Sequence, residues 1–268
     1  MGEVSLLPPT LVRRLRPWLV SPMTSGIFLD FDGTLAPTVA VTDEARPLPG
    51  VASTLGRLAL RYRRVAVISG RPLAYLAEHL GEGSGPVELV GLYGLERQLG
   101  SGGPVVAGSQ ASRWEAAVDA VAAAAQAAAP AGLRVERKGV AVTLHFREAP
   151  ELAGWTAGFA AEQEATSGLI AHPGKQSWEL RPPGPTDKGT VVEELASGLR
   201  AACFVGDDIG DLPAFAALAR FRLAGVDTLS VAVGGAETPA EVLAAGDVVV
   251  AGPAGVLALL EALADLPG

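Results

Sequence analysis

A doubly wound α/β fold interrupted by a smaller α+β unit is what this chain predicts, on three observations. Short apolar runs alternate with helix-forming stretches through the first third of the chain and again through the last. Between them the pattern changes to strands that alternate apolar and polar residues, as half-buried antiparallel strands do. Several core runs end in acidic, hydroxyl or basic residues, and in an open parallel sheet that carboxyl edge is where ligands bind.

The elements follow in order. Residues 11–20 carry three arginines and Trp18, which reads as an amphipathic helix and not as a signal core. Residues 27–31 are a buried strand, 49–62 a helix with a proline near its start, 64–68 a second strand, 72–80 a helix closed by Gly81, and 87–92 a third strand. This βαβ order implies right-handed crossovers and a parallel sheet. Residues 100–108 read as a loop, and the Ala-rich stretch 111–129 as a helix. Strands are expected at 133–138 and 140–147, a helix near 151–166, and strands near 169–172 and 176–181. Pro182-Pro183-Gly184-Pro185 is a stiff hinge, after which the βα order returns: helix 187–199, strand 201–205, helix 211–219, strands 229–233 and 248–250, helix 254–263. The expected division is 1–108 for the first part of the core, 109–181 for the insertion and 182–268 for the rest of the core.

At 268 residues, 49% hydrophobic with a mean hydropathy of +0.32, the chain has ample material for a core and too little polarity for extensive disorder. A net charge of −8 provides no basic field for nucleic acid, so an anionic ligand needs local cations or a metal. Cys203 is the only cysteine, sits in an apolar strand, and fits a packed thiol in a reducing compartment. No apolar stretch spans a bilayer, and Leu6 stands where a myristoylation signal has Ser or Thr. A cytoplasmic protein is expected.

The chemistry concentrates at strand ends. Ile27-Phe28-Leu29 runs into Asp30-Phe31-Asp32-Gly33-Thr34, a pair of carboxylates costly to fold around unless a cation sits between them. Val65-Ala66-Val67-Ile68 runs into Ser69-Gly70-Arg71, Phe204-Val205 into Gly206-Asp207-Asp208-Ile209-Gly210-Asp211, and Lys188-Gly189 opens the helix after the hinge. Singly, each has an ordinary explanation as a turn, a cap or a solvated lysine. Converging on one edge, they supply what phosphoryl transfer needs: a nucleophile, ligands for Mg²⁺, and donors for phosphoryl oxygens.

In this order the segments resemble the four motifs of the haloacid dehalogenase-like (HAD) phosphohydrolases, with a Rossmann-like core and a C2-type cap inserted between the second and third motifs. Within that superfamily the chain is similar over nearly its whole length to the trehalose-6-phosphate phosphatases. The similarity is carried by Asp30 to Pro37, Ser69-Gly70-Arg71, Gly94-Leu95-Glu96, His145-Phe146-Arg147, Lys175 to Glu179 with Leu180-Arg181-Pro182, and Asp187-Lys188-Gly189. The resemblance implies Asp30 as nucleophile and Asp32 as the residue that protonates the leaving sugar oxygen and then activates water. It implies Ser69 and Lys188 as phosphoryl-oxygen donors. It also implies Mg²⁺ on Asp30, on the backbone carbonyl of Asp32 and on Asp207, with Asp208 and Asp211 completing or orienting the shell.

In the insertion, Glu136 and Lys138 share a strand face, Arg147 can approach it across a hairpin, and Lys175 and Glu179 share a face of another strand. By itself this reads as a solvated face with ion pairs. The resemblance makes Glu136, Lys138, Arg147, Lys175 and Glu179 the residues that grip the distal glucose, with Arg71 helping from the core side. The family's fourth motif usually carries Thr and Glu where Gly210 and Leu212 stand, and often His where Tyr93 stands; Tyr93 is given no role. His145 is equally well a structural residue, and His79 and His172 carry no pattern.

The function implied is Mg²⁺-dependent hydrolysis of trehalose 6-phosphate through an aspartyl phosphate. The alternatives are a phosphatase for another sugar phosphate (sucrose, mannosylglycerate or glucosylglycerol phosphate) and a silent sugar-phosphate-binding regulator. A small-molecule substrate is expected, with no nucleic acid or membrane partner and a functional link to a separate trehalose-phosphate synthase. A receiver-type phospho-acceptor domain would be about half as long.

Overall fold

The computed structural model describes residues 8–39, 44–81, 83–100, 103–107, 111–138, 140–183 and 187–267. After an N-terminal helix α1 (Pro9–Val20), the core begins as expected with β1 (Ser25–Leu29), α2 (Val51–Arg61), β2 (Arg64–Ile68), α3 (Leu73–Leu80) and β3 (Glu88–Gly91). Two further strands follow, β4 (Glu96–Leu99) and β5 (Val105–Ala107), before α4 (Ala111–Ala128). A hairpin β6 (Arg134–Lys138) and β7 (Ala141–His145), helix α5 (Ala153–Ser167), and a hairpin β8 (Ile170–Gly174) and β9 (Ser177–Arg181) come next. The chain then returns through α6 (Lys188–Ala196), β10 (Ala201–Gly206), α7 (Leu212–Leu223), β11 (Asp227–Gly234), α8 (Ala240–Ala245), β12 (Val248–Ala251) and α9 (Gly252–Asp265).

The large sheet has the order β12-β11-β10-β1-β2-β3-β4-β5. It is parallel from β12 to β3, while β4 and β5 add antiparallel strands at one edge. That edge corrects the expectation of a loop over 100–108, part of which is β5. Glycines surround the Val105-Val106 pair, and a strand this short has no periodicity of its own. Gly108 and the expected boundary at 109 lie outside the described residues, as do Gly184 and Pro185 of the hinge.

The sheet is doubly wound because side chains alternate along each strand. Ile27, Leu29, Val65, Val67, Cys203 and Val205 face a layer with Leu15 and Trp18 of α1, Leu55 and Leu58 of α2, and Leu259 and Leu260 of α9. Phe28, Ala66, Ile68, Ala202 and Phe204 face α6, α7 and α8 through Val192, Leu218 and Val242. Each fully buried Phe or Leu in these layers contributes about 1.5–3 kcal/mol. Burial pushes the Cys203 thiol up to about 12, so it is a packing group and not a nucleophile.

The second sheet, β6-β7-β9-β8, is antiparallel throughout. Val142, Leu144 and Leu180 pack under α4 and α5, against Val118, Val121, Phe159 and Ala160. Trp178 joins that layer, on the side opposite Glu179, as the alternation requires. Among the described residues no helix is long and apolar enough to cross a membrane.

Candidate active site

The carboxyl ends of β1, β2 and β10 bring the strand-end motifs together. Asp30 follows β1, its backbone N–H donating to the Val205 carbonyl (2.9 Å), so the first acid is pinned beside β10. Gly33 has φ +79°, and a Cβ there would collide with the Asp207 carboxylate; only glycine closes this turn. Asp187 caps α6 by accepting from the Thr190 N–H (2.7 Å), which places Lys188 at the first turn, buried. The Lys188 ammonium donates at 2.6 Å to Asp30 Oδ1 and at 2.6 Å to Asp211 Oδ1. The other oxygen of Asp211 accepts the backbone N–H groups of Asp207 (2.8 Å) and Asp208 (3.0 Å). Asp211 therefore ties the fourth motif to Lys188, with both of its oxygens engaged.

Charge does not balance in this cluster. Asp30 is pushed up to about 8 by burial, with Lys188 opposing and Asp207, Asp208 and Asp32 adding to the rise. Asp207 is pushed up to about 8 by burial and by Asp208 and Asp211. For Lys188 burial acts downward, but Asp211 and Asp30 outweigh it and raise it well above the ordinary lysine value. One lysine among so many acids leaves a surplus of negative charge, which a cation relieves. Oxygens of Asp30, Asp207 and Asp211 come within 4.8 Å of one another, and Asp208 Oδ1 is buried with no hydrogen-bond partner among the described residues. An all-oxygen donor set with an orphaned carboxylate oxygen fits a hard divalent cation. The glycine at 210 leaves room beside Asp208, and Leu212 packs against the α6–α7 layer.

Asp32 pairs with a different cation. Arg71 holds it with two parallel hydrogen bonds, Nε to Oδ2 at 2.8 Å and Nη2 to Oδ1 at 2.6 Å, while lying 4.4 Å over the Tyr75 ring. The Arg71 guanidinium thus engages the second carboxylate, and Arg71 lines the cavity as well. Ser69 is buried, and its Oγ accepts the Arg71 backbone N–H (3.1 Å).

A cavity of about 560 Å³ separates these groups from the second sheet. Arg147, Lys175 and Glu179 line it, opposite Asp30, Asp32 and Lys188. Lys175 and Glu179 were expected in one strand; instead Lys175 stands in the two-residue turn closing the β8–β9 hairpin, where Gly174 pairs with Ser177. Arg147 lies beyond the end of β7. Glu136 does not line the cavity: its carboxylate is engaged by His145 Nε2 (2.8 Å) and Arg134 (3.6 Å). The side chain of Lys138 lies outside the described residues.

Other residues at the site went unassigned in the sequence. Tyr93, left-handed at φ +55°, donates its hydroxyl to Glu179 Oε2 (3.1 Å) and carries the Arg181 guanidinium 4.4 Å over its ring. Thr143 lines the cavity, and its Oγ1 is buried without a hydrogen-bond partner among the described residues. Glu237, after β11, reaches Arg147 and Lys175. Its place after a parallel strand was the only available signal.

Known proteins show the same architecture. The family profile described as Trehalose-phosphatase matches residues 28–245. A trehalose-phosphate phosphatase of Mycolicibacterium paratuberculosis is 34% identical over 217 residues, covering 76% of this chain and 54% of that protein. One of Mycobacterium marinum is 32% identical over 232 residues, covering 81% and 57%. The chain thus spans about half the length of the curated relatives it matches. Among solved structures, the C-terminal domain of Candida albicans trehalose-6-phosphate phosphatase superposes with a TM-score of 0.77 at 25% identity, covering 98% of this chain and 99% of that one. The Aspergillus fumigatus trehalose-6-phosphate phosphatase gives 0.66 at 27% identity, with 98% and 99% covered.

Proposed function

The chain belongs to the trehalose-phosphatase family, and on that premise we propose that it hydrolyses trehalose 6-phosphate to trehalose and phosphate, with the core as 1–108 and 182–268 and residues 109–181 as the cap. The observation that carries the reading is the convergence of Asp30, Lys188 and the fourth-motif acids on one wall of a cavity whose other wall presents Arg147, Lys175 and Glu179.

Asp30 attacks the phosphorus; the phosphorus–sugar oxygen bond breaks and an aspartyl phosphate forms. Asp32 gives its proton to the departing sugar oxygen, then takes one from the water that cleaves the acyl phosphate. For the first step Asp32 must leave Arg71, take up a proton from solvent and turn to the leaving oxygen, so Arg71 holds the carboxylate until substrate arrives. Ser69 Oγ and Lys188 Nζ donate to phosphoryl oxygens, and Asp211 orients Lys188. Mg²⁺ is the cation proposed for the acids of Asp30 and Asp207 and the carbonyl of Asp32, with Asp208 beside them and Asp211 orienting the set. When bound it offsets the charge of the phosphoryl group. Glu179, Arg147 and Lys175 suit sugar hydroxyls, as acceptor and donors. Glu136 and Lys138 belong to the same proposed sugar face, Glu136 acting there through His145 and Arg134. The cavity volume lies within the usual range for small-ligand sites. A cytoplasmic location and a separate synthase as supplier of substrate complete the reading.

Phosphate release from a panel of disaccharide and monosaccharide phosphates, with and without Mg²⁺, tests it. Trehalose 6-phosphate should be the preferred substrate, and only with the metal. Turnover no faster than that of glucose 6-phosphate would assign the chain to another sugar phosphate.

A further inference from the structure

The loop between β11 and α8 lies at the same sheet edge as Asp30 and Asp207 but contains none of the motifs. It is well ordered by its own bonds. The Thr238 hydroxyl donates to the Val233 carbonyl (2.9 Å) and accepts the Gly235 N–H (3.0 Å), and Pro239 then leads into α8. This turn holds out Glu237. Its Oε2 lies 3.3 Å from Arg147 Nη1 and 3.2 Å from Lys175 Nζ, both from the second sheet. The two cations are themselves fixed side by side, because the Phe146 N–H donates to the Gln176 carbonyl (3.0 Å) and so joins the end of β7 to the β8–β9 turn.

The position of this contact gives it leverage. The segment after β3 and the exit from β9 meet where Arg181 covers Tyr93. Glu237 follows β11, four strands across the sheet from β3, a separation of about 19 Å at the usual strand spacing. A contact that far from the crossing point has a long lever arm against any parting of the two sheets.

We propose that Glu237 is a positioning residue: from the core it clasps Arg147 and Lys175, holding the second sheet closed over the cavity and presenting both cations to the incoming sugar. This rests on the cap reading above. An arginine has five N–H donors and an ammonium three, so one carboxylate leaves donors free for sugar hydroxyls. The clasp is weak by construction. Glu237 is 48% exposed, Arg147 37% and Lys175 26%, and pairs so exposed shift an equilibrium without locking it. A substrate that needs the closed form binds in proportion to the closed fraction.

The test is a spin-label distance measurement between Ala161→Cys on α5 and Leu223→Cys on α7, both exposed, with the buried Cys203 left in place. The parent should give one narrow distribution, and adding Glu237→Gln or E237K should broaden it toward longer distances. Raised salt should do the same to the parent and add little to either variant. In parallel, kcat/KM for trehalose 6-phosphate should fall roughly 3- to 10-fold in E237Q, mainly through KM, with hydrolysis of p-nitrophenyl phosphate unchanged within about twofold. Identical distance distributions, or equal losses on both substrates, would overturn the proposal. The distance measurement needs no turnover, so it stands even if trehalose 6-phosphate proves not to be the substrate.

Discussion

On the core side of the cavity, the Asp30 and Lys188 side chains are 5% exposed, that of Asp211 is fully buried, and they meet at 2.6 Å. At the rim, Arg147 and Lys175 of the facing side and Glu237 reaching over from the core are a quarter to a half exposed and meet at 3.2–3.3 Å. Buried charges must be paired and held by rigid strand ends, because each unpaired ion costs several kcal/mol. Charges at a rim can exchange partners at little cost. The difference separates two tasks: the core wall prepares one reaction, while the facing wall adapts to a ligand and lets it go.

The largest expected effect lies on the buried side. Asp30→Asn should lower turnover by on the order of 10⁴-fold or more, as loss of a nucleophile does. The same change removes a surplus negative charge, so the melting temperature of the metal-free protein should stay level or rise. Residual turnover near the parent rate would remove Asp30 from the nucleophilic role, and a collapsed melting temperature would contradict the surplus-acid account.

A smaller effect concerns pH. In chelated protein Asp30 and Asp207 rise from 3.8 to about 8 on folding. A carboxyl raised on folding stabilises the fold fully below its unfolded value and loses that contribution as pH climbs through the folded value. The melting temperature in chelator should therefore fall between pH 4 and pH 8 on this account, and Mg²⁺ should restore more of it at pH 8 than at pH 5. Calorimetry with and without metal at the two pH values checks this; equal metal effects would locate the bound cation away from these acids.

The smallest effect belongs to the facing wall. Tyr93→Phe removes the hydrogen bond to Glu179 and should cost about 1 kcal/mol or less in stability. It should raise KM for the sugar phosphate a few-fold while leaving kcat nearly unchanged. A loss confined to kcat would move Tyr93 to the reacting side and blur the division between the walls.

How much was legible follows the same division. Asp30, Ser69, Lys188 and Asp207 each stand directly after an apolar strand or open a helix, so local pattern and the parallel-sheet rule were enough to bring them together. Lys175 was misplaced in a strand because a two-residue turn leaves no periodic trace. Glu136 lies against Arg134, which alternation places on the same face, and against His145, which only the pairing of β6 with β7 brings near. β5 was hidden among glycines, and α8 is a six-residue helix with too few turns to show a period.

Sequence alone determined the doubly wound core, the inserted antiparallel sheet and the acids at the strand ends, because alternation, helix period and buried charge are local constraints. Only the tertiary structure decided that Arg71 serves Asp32, that Asp211 spends both oxygens orienting its neighbours, that Tyr93 meets Glu179, and that Glu237 reaches across to Arg147 and Lys175. Arg71 and Asp32 are 39 positions apart, Tyr93 and Glu179 86, Arg147 and Glu237 90, and Lys188 reaches Asp30 across 158. Their partners are chosen by which strand ends and turns the two sheets bring face to face, a property of packing that no local spacing encodes.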